Sequence, residues 1–175
     1  MIDSLSAAAN SMGGVLNGED RNFAGISTDT RTLRDGELFF ALRGPNFDGS
    51  DYVQTAAENG AAAAVVARRL VADIPQIEVD DTRVALGRFA ASWRRQFDVT
   101  VIAITGSNGK TSTKELIRAC LVPQAPTLAT HGNLNNEIGV PLMLARIASE
   151  HRFAVFELGA NHAGEIAYLT ALAKP

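Results

Sequence analysis

Cysteine is nearly absent: Cys120 stands alone in 175 residues, which excludes an intramolecular disulfide. It lies beside Leu116, Ile117 and Leu121 at helical spacing, and a free thiol in that company is expected in a core. Histidine is scarce as well. His131, His151 and His162 are scattered, without the HExxH or paired Cys/His spacing that a zinc site needs. Positive charge is in deficit, with 16 Lys and Arg against 19 Asp and Glu, so there is no basic footprint for nucleic acid or an anionic membrane surface. An anionic ligand would need locally placed cations. No apolar run reaches membrane-spanning length, and the start, MIDSLSAAANSMGGVL, lacks the basic region and long apolar core of a secretory signal. A cytoplasmic protein without membrane insertion is the expectation.

The chain has 46% hydrophobic and 20% charged residues, the balance of a globular protein, and a length that suits one ordinary domain or two small ones. Residues 1–97 carry short strand-like runs at 23–27, 37–42, 62–66 and 76–79, each bounded by Gly, Pro, Asp or Asn. A helix is expected over 51–59, stopped by Gly60. A second follows over 81–97, where Leu86, Phe89, Ala90, Trp93 and Phe97 recur at three- and four-residue steps. Its arginines, Arg83, Arg88, Arg94 and Arg95, fall largely on other faces and read as a solvated surface. This half is a small α/β domain.

From Val99 the pattern changes. VTVIAIT is a β-branched apolar run fit for a strand buried on both faces, and KTSTKELIRACL after it is helix-like. FAVFEL, at 153–158, is a second buried strand, preceded by a helix marked by Gly139, Val140 and Pro141. Strands alternating with helices imply a parallel sheet, so residues 98–175 read as the first part of a parallel-sheet domain. The helical segment 164–173 runs to Lys174 and Pro175, where such a sheet would turn into another strand, so this second domain is expected to be incomplete.

Between the first strand and its helix lies Thr105-Gly106-Ser107-Asn108-Gly109-Lys110-Thr111-Ser112. Only a backbone without side chains can curl closely enough to aim successive N–H groups at phosphate oxygens, which is why glycines belong there. The helix N-terminus adds partial positive charge, Lys110 a full one, and the Thr111 hydroxyl is placed for Mg²⁺. The loop is the short form G-x-x-G-K-T, because Ile104 holds the position of the first glycine in the longer G-x-x-x-x-G-K-[ST] pattern. Glu157 ends the second strand, at the edge where parallel sheets place ligands. It is a candidate to hold Mg²⁺ directly or through water, against the alternative of a solvated acid.

These residues carry a resemblance. TGSNGKTS is similar to the short phosphate loop of the Mur ligases and their folylpolyglutamate synthetase relatives. HGNLNNEIGVP and ELGANHAGEI resemble motifs of the branch that adds D-alanyl-D-alanine, and STDTRTLRDGELFFALRGPNFDG resembles the uridine-nucleotide-binding segment. The resemblance implies cytoplasmic peptidoglycan-precursor synthesis: ATP phosphorylates the terminal carboxylate of a UDP-N-acetylmuramoyl tripeptide, and D-alanyl-D-alanine attacks the acyl phosphate. It implies ATP and Mg²⁺, catalytic roles for Lys110 and Glu157, and a monomer when full length.

By the same resemblance Thr30, Arg31 and Asn46 should lie near the UDP moiety. Arg43 would neutralise diphosphate or serve as an exposed structural arginine. Asn133, Asn135 and Asn136 suit either a polar cleft or a plain turn. Asn161 and His162 follow Glu157 closely enough to share its site, with helix capping as the alternative for Asn161. Rival readings are another Mur ligase, a folate-polyglutamate ligase, or a nucleotide-binding module without catalysis. A P-loop GTPase or kinase would need the longer loop and its own switch or base motifs.

Overall fold

The computed structural model describes residues 3–44 and 47–175. Contacts divide the chain into two compact units, Met1–Phe89 and Ala90–Pro175. Both are α/β, as the alternation of patterns implies.

In the first unit the elements run β1 (Asp3–Ser4), α1 (Leu5–Met12), β2 (Val15–Asn17), β3 (Asn22–Phe23), β4 (Gly25–Ser27), β5 (Glu37–Phe40), a 3₁₀ turn (Gly49–Tyr52), α2 (Val53–Glu58), β6 (Ala63–Val66) and β7 (Gln76–Glu78), then the start of α3 (Thr82–Arg94). The main sheet has the order β2-β7-β6-β5-β4. Its pairs are parallel except for β2 on β7. Strand alternation sends Phe39, Ala64 and Val66 into a cluster with Val53 and Ala56 of α2. On the other face Phe40 meets Phe89 of α3 with ring centroids 6.1 Å apart, and Phe23 joins from 5.9 Å. Ala63–Val66 is buried throughout, which explains its small residues: two layers press on the central strand.

Two local expectations change here. The run 23–27 is not one strand: β3 pairs antiparallel with β1, while β4 joins the main sheet, so the chain switches partners at Ala24. Helix α1 also lies outside the sequence reading. Its buried residues are Leu5, Ala8, Ala9 and Met12, a helical period written half in alanine. Ser4 caps it by accepting from the Ala7 N–H at 3.2 Å, and Gly13 ends it at φ +72°.

The second unit continues with β8 (Thr100–Ile104), α4 (Lys110–Leu121), β9 (Thr127–Ala129), α5 (Gly139–Leu144), β10 (Phe153–Glu157) and α6 (Glu165–Ala173). Its sheet order is β8-β10-β9, all parallel. The short strand β9 was not read from sequence. Ala154 and Phe156 of β10 face a core with Val101, Val140, Met143, Leu144, Leu169 and Leu172. Helix α4 packs on the sheet across β10, β9 and β8. The end of α3 is fastened here: Trp93 Nε1 donates to the Ile147 carbonyl at 2.9 Å, and Arg94 donates to the carbonyls of Ala173, Phe97 and Val99. In the first unit Arg83 and Arg88 likewise donate to the carbonyls of Arg43 and Met12, so three of the four arginines bind backbone, while none of the four is buried and Arg88 and Arg95 are exposed as expected.

Cys120 is exposed, contrary to the expectation of a core thiol. The face of α4 turned to the sheet carries Lys110, Lys114, Ile117 and Leu121, positions within about 60° of one another on a 3.6-residue helix. Cys120 and the 69% exposed Leu116 fall outside that arc. Native chain should therefore react with Ellman's reagent at one thiol before any unfolding. Phe156→Ala should lower unfolding stability by about 3–5 kcal/mol, while Leu116→Ala should stay within about 0.5 kcal/mol, measured by denaturant titration.

Candidate functional site

Parallel pairing of β10 with β8 brings two distant stretches of sequence together. Glu157 is the register partner of Ile104, and the Leu158 N–H donates to the Ile104 carbonyl at 2.8 Å. The strand that ends in a carboxylate thus lies beside the strand that opens into Thr105–Gly109. Paired strands stand only about 4.8 Å apart.

The loop is exposed from Thr105 to Gly109. Gly106 has φ +150° and Gly109 φ +75°, with open space where a Cβ of Gly109 would go. Glycine at 109 therefore answers a backbone angle rather than crowding. No side chain caps α4, and its first ladder bond runs from the Thr113 N–H to the Gly109 carbonyl, so the amides of the first turn are turned outward. Thr111 and Ser112 are exposed beside them. Lys110 Nζ donates to the Gly106 carbonyl at 2.7 Å, arching over the loop. Backbone donors, a helix N-terminus and an ammonium converge on one spot, the composition of a phosphate cradle.

Glu157 is buried, and its Oε1 has no hydrogen-bond partner. An orphaned carboxylate oxygen is costly in a protein interior, and it fits a cation that takes one or two carboxylates and keeps its waters. The backbone around it is firmly held: the Glu157 N–H donates to Thr130 Oγ1 at 2.9 Å, and the Thr130 N–H donates to the Val155 carbonyl. Sequence reading missed Thr130 and also Lys114, whose buried Nζ donates to the Thr130 carbonyl at 2.9 Å. The available signal was the position of Lys114 one helical turn after Lys110.

The asparagines separate. Asn135 is stitched to the end of β10, its carbonyl accepting the Gly159 N–H at 2.8 Å. A Cβ on Gly159 would come within 3.1 Å of the Asn135 side chain, which accounts for that glycine. Asn136 Oδ1 accepts from the N–H groups of Ile138 and Gly139, so its side chain caps the start of α5. Asn133 is exposed. Asn161 and His162 are exposed as well, and the side chain of Asn161 does not cap α6, whose N-cap is Gly164. The Glu165 carboxylate instead accepts both their N–H groups, which hold it below the usual carboxylate range.

The first unit holds a separate constellation. Thr28, Asp29, Thr30 and Arg31 line a cavity of about 430 Å³ with Phe39, Phe47, Gly49 and Tyr52. The turn is tightly stitched: Asp29 Oδ1 accepts the Arg31 N–H, Asn59 donates to the Thr30 carbonyl, and Ser27 Oγ donates to the Asp29 carbonyl. Arg31 Nε and Nη2 both bond the Asp29 carboxylate, holding the guanidinium flat on an otherwise exposed side chain. Phe47 and Tyr52 present half-exposed rings, and sequence reading passed over them because lone aromatics in a turn carry no pattern. Arg43 lines a different cavity, about 260 Å³, with Asp48, Ser50, Arg68 and Thr82. Asp48 accepts the Ser50 N–H, and Gly49 is required by closeness, since a Cβ there would stand 2.6 Å from the Ala41 carbonyl carbon. Asn46 lies outside the described residues.

Comparison with known proteins gives consistent results. Residues 22–94 match the family described as Mur ligase family, catalytic domain, and residues 104–175 match the Mur ligase middle domain. The chain is 48% identical over 171 residues to the UDP-N-acetylmuramoyl-tripeptide--D-alanyl-D-alanine ligase of Escherichia coli strain K12, covering 98% of this chain and 38% of the relative. It superposes on a crystal structure of MurF from Acinetobacter baumannii with a TM-score of 0.96 at 41% identity, over 100% of this chain and 40% of that one. The MurF ligase of Thermotoga maritima, solved in complex with ADP, aligns at a TM-score of 0.77 and 33% identity, over 85% of this chain and 35% of that one. The chain therefore spans about two fifths of the length of these relatives.

The Asp29 clamp gives a pH signature. Hydrogen bonding from Arg31 holds the Asp29 carboxyl below its ordinary value, so the pair is complete above the normal carboxylate range and is lost only as pH falls through the depressed one. In a carbon-13 NMR titration Asp29 should titrate below its ordinary value of about 3.9, and Arg31→Ala should move it upward toward that value.

Proposed function

The chain belongs to the Mur ligase family, and from that premise we propose that it forms the substrate-recognition and phosphate-loop portion of the ATP-dependent ligase joining D-alanyl-D-alanine to a UDP-N-acetylmuramoyl tripeptide in the cytoplasm. One observation carries the reading: the in-register pair Glu157 and Ile104, which sets an unpartnered buried carboxylate oxygen beside a phosphate cradle. We take residues 1–97 as the UDP-binding part and 98–175 as the beginning of the ATP-binding domain.

The physical problem in this reaction is that a carboxylate and a triphosphate repel, so positive charge and alignment must precede transfer. Lys110 and the amides of Gly106–Ser112 supply the charge around the transferred phosphoryl group. Bound Mg²⁺ would neutralise phosphate oxygens further, and Thr111 with Glu157 is the pair that would hold it. The tripeptide carboxylate attacks the γ-phosphorus and ADP leaves. The amine of D-alanyl-D-alanine then attacks the acyl carbon, phosphate leaves, and an amide forms. Asn133, Asn135, Asn161 and His162, at the same end of the sheet, are the groups for the peptide part. Asn136 acts by shaping the loop.

In the first unit Thr30 and the Asp29-braced Arg31 would contact the uridine nucleotide in the 430 Å³ cavity, a volume within the usual range for such ligands. Arg43 is the cation for its diphosphate, and Asn46 is a further candidate for contact with the UDP moiety.

In the full-length ligase Lys110→Ala should lower turnover by at least on the order of 10²-fold, and near-normal ADP release would remove Lys110 from the site. This chain alone should bind the UDP-sugar peptide in calorimetry, weakened by Thr30→Val, without forming amide. Unchanged affinity after that substitution would place the uridine elsewhere.

A further inference from the structure

Lys114 is 3% exposed, the only buried cationic side chain among the described residues. Lysine is among the residues least often buried, because its ammonium must be paired to leave solvent. Ile117 and Leu121 on the same face of α4 show that an apolar residue would serve for packing alone. The ammonium at 114 is bonded instead to the Thr130 carbonyl at 2.9 Å and to Glu115 Oε1 at 2.9 Å, on the half-exposed side. Arg118 grips the other oxygen of Glu115 at 2.8 Å, so the lysine is steadied from the surface.

Thr130 is the joint. Its carbonyl takes Lys114, its hydroxyl takes the Glu157 N–H, and its own N–H is fixed to the Val155 carbonyl. Among the described residues no ion pair joins Lys114 to Glu157, although both are buried in the same unit. The lysine thus braces the backbone that carries the carboxylate and leaves Glu157 Oε1 without a partner. We propose that Lys114 is a positioning residue which, acting through Thr130, fixes the Glu157 carboxylate against the phosphate loop so that one oxygen stays available to a divalent cation. This rests on the nucleotide-site reading above. Lys110 and Lys114 then divide the work of one helix, the first meeting phosphate and the second setting the acid.

Two measurements on the whole chain test it. In hydrogen exchange without metal or nucleotide, Lys114→Met should lower protection of the Glu157 amide by about tenfold and leave Val101 within about twofold. In titrations with a fluorescent ATP analogue, Lys114→Met should raise the Mg²⁺ concentration for half-maximal binding by about tenfold, the scale seen when a group orienting a metal ligand is removed. Binding in EDTA should change less than about twofold, and Lys114→Arg should restore most of the Mg²⁺ response. Thr130→Val should act in the same direction, and the double variant should be no worse than the stronger single one. An unmoved Mg²⁺ midpoint, or an equal loss in EDTA, would overturn the proposal. If Lys114→Met does not fold, Thr130→Val decides by the same two readouts. A wild-type chain that binds no nucleotide would refute the nucleotide site, and the exchange arm would then judge the brace by itself.

Discussion

The parallel register between β8 and β10 is the constraint on which the second unit depends. It sets Glu157 level with Ile104, and the chemistry of the site follows from that one alignment. A slip of one residue would turn Glu157 to the opposite face of the sheet and bring Phe156 to the level of Ile104. The core forbids the slip, since Ala154 and Phe156 are packed against Val140, Met143 and Leu144 on their side. Apolar packing on one face thereby decides where a carboxylate stands on the other.

The first unit reaches a preorganised surface by a different route. Its turn from Ser27 to Arg31 is fixed by short polar contacts, most of them within the turn and one from Asn59. Asp29 serves both the backbone N–H and the side chain of Arg31, so the guanidinium is held in plane before any partner arrives. Less ordering then remains to be done on binding.

Legibility followed the strength of local signals. Strands β8 and β10 and the helix after the phosphate loop were readable because apolar runs and glycine punctuation agree there. The α/β class and the residues of the loop were readable for the same reason. Helix α1 went unread although its buried positions keep a helical period, because alanine writes that period faintly. The three-residue β9 is too short to show any periodicity. Cys120 was misplaced because neighbours at helical spacing share a helix without sharing its buried arc. Lys114 and Thr130 could not be found by composition, since a buried lysine looks like a surface one until its partner carbonyl is known. Phe47 and Tyr52 come to line one cavity only through the fold.

The bond from Lys110 to the Gly106 carbonyl has a consequence for selectivity. A phosphate arriving at the loop meets an ammonium that the carbonyl already holds over it, with two further N–H donors to offer. A ligand with a single phosphate that does not extend to Nζ forgoes them. A longer polyphosphate brings charged oxygens to those donors, which charge-assisted hydrogen bonding makes favourable. If the loop holds nucleotide phosphates as proposed, the carbonyl would keep the ammonium in place, and reach to Nζ would favour longer polyphosphates without any contact to the base.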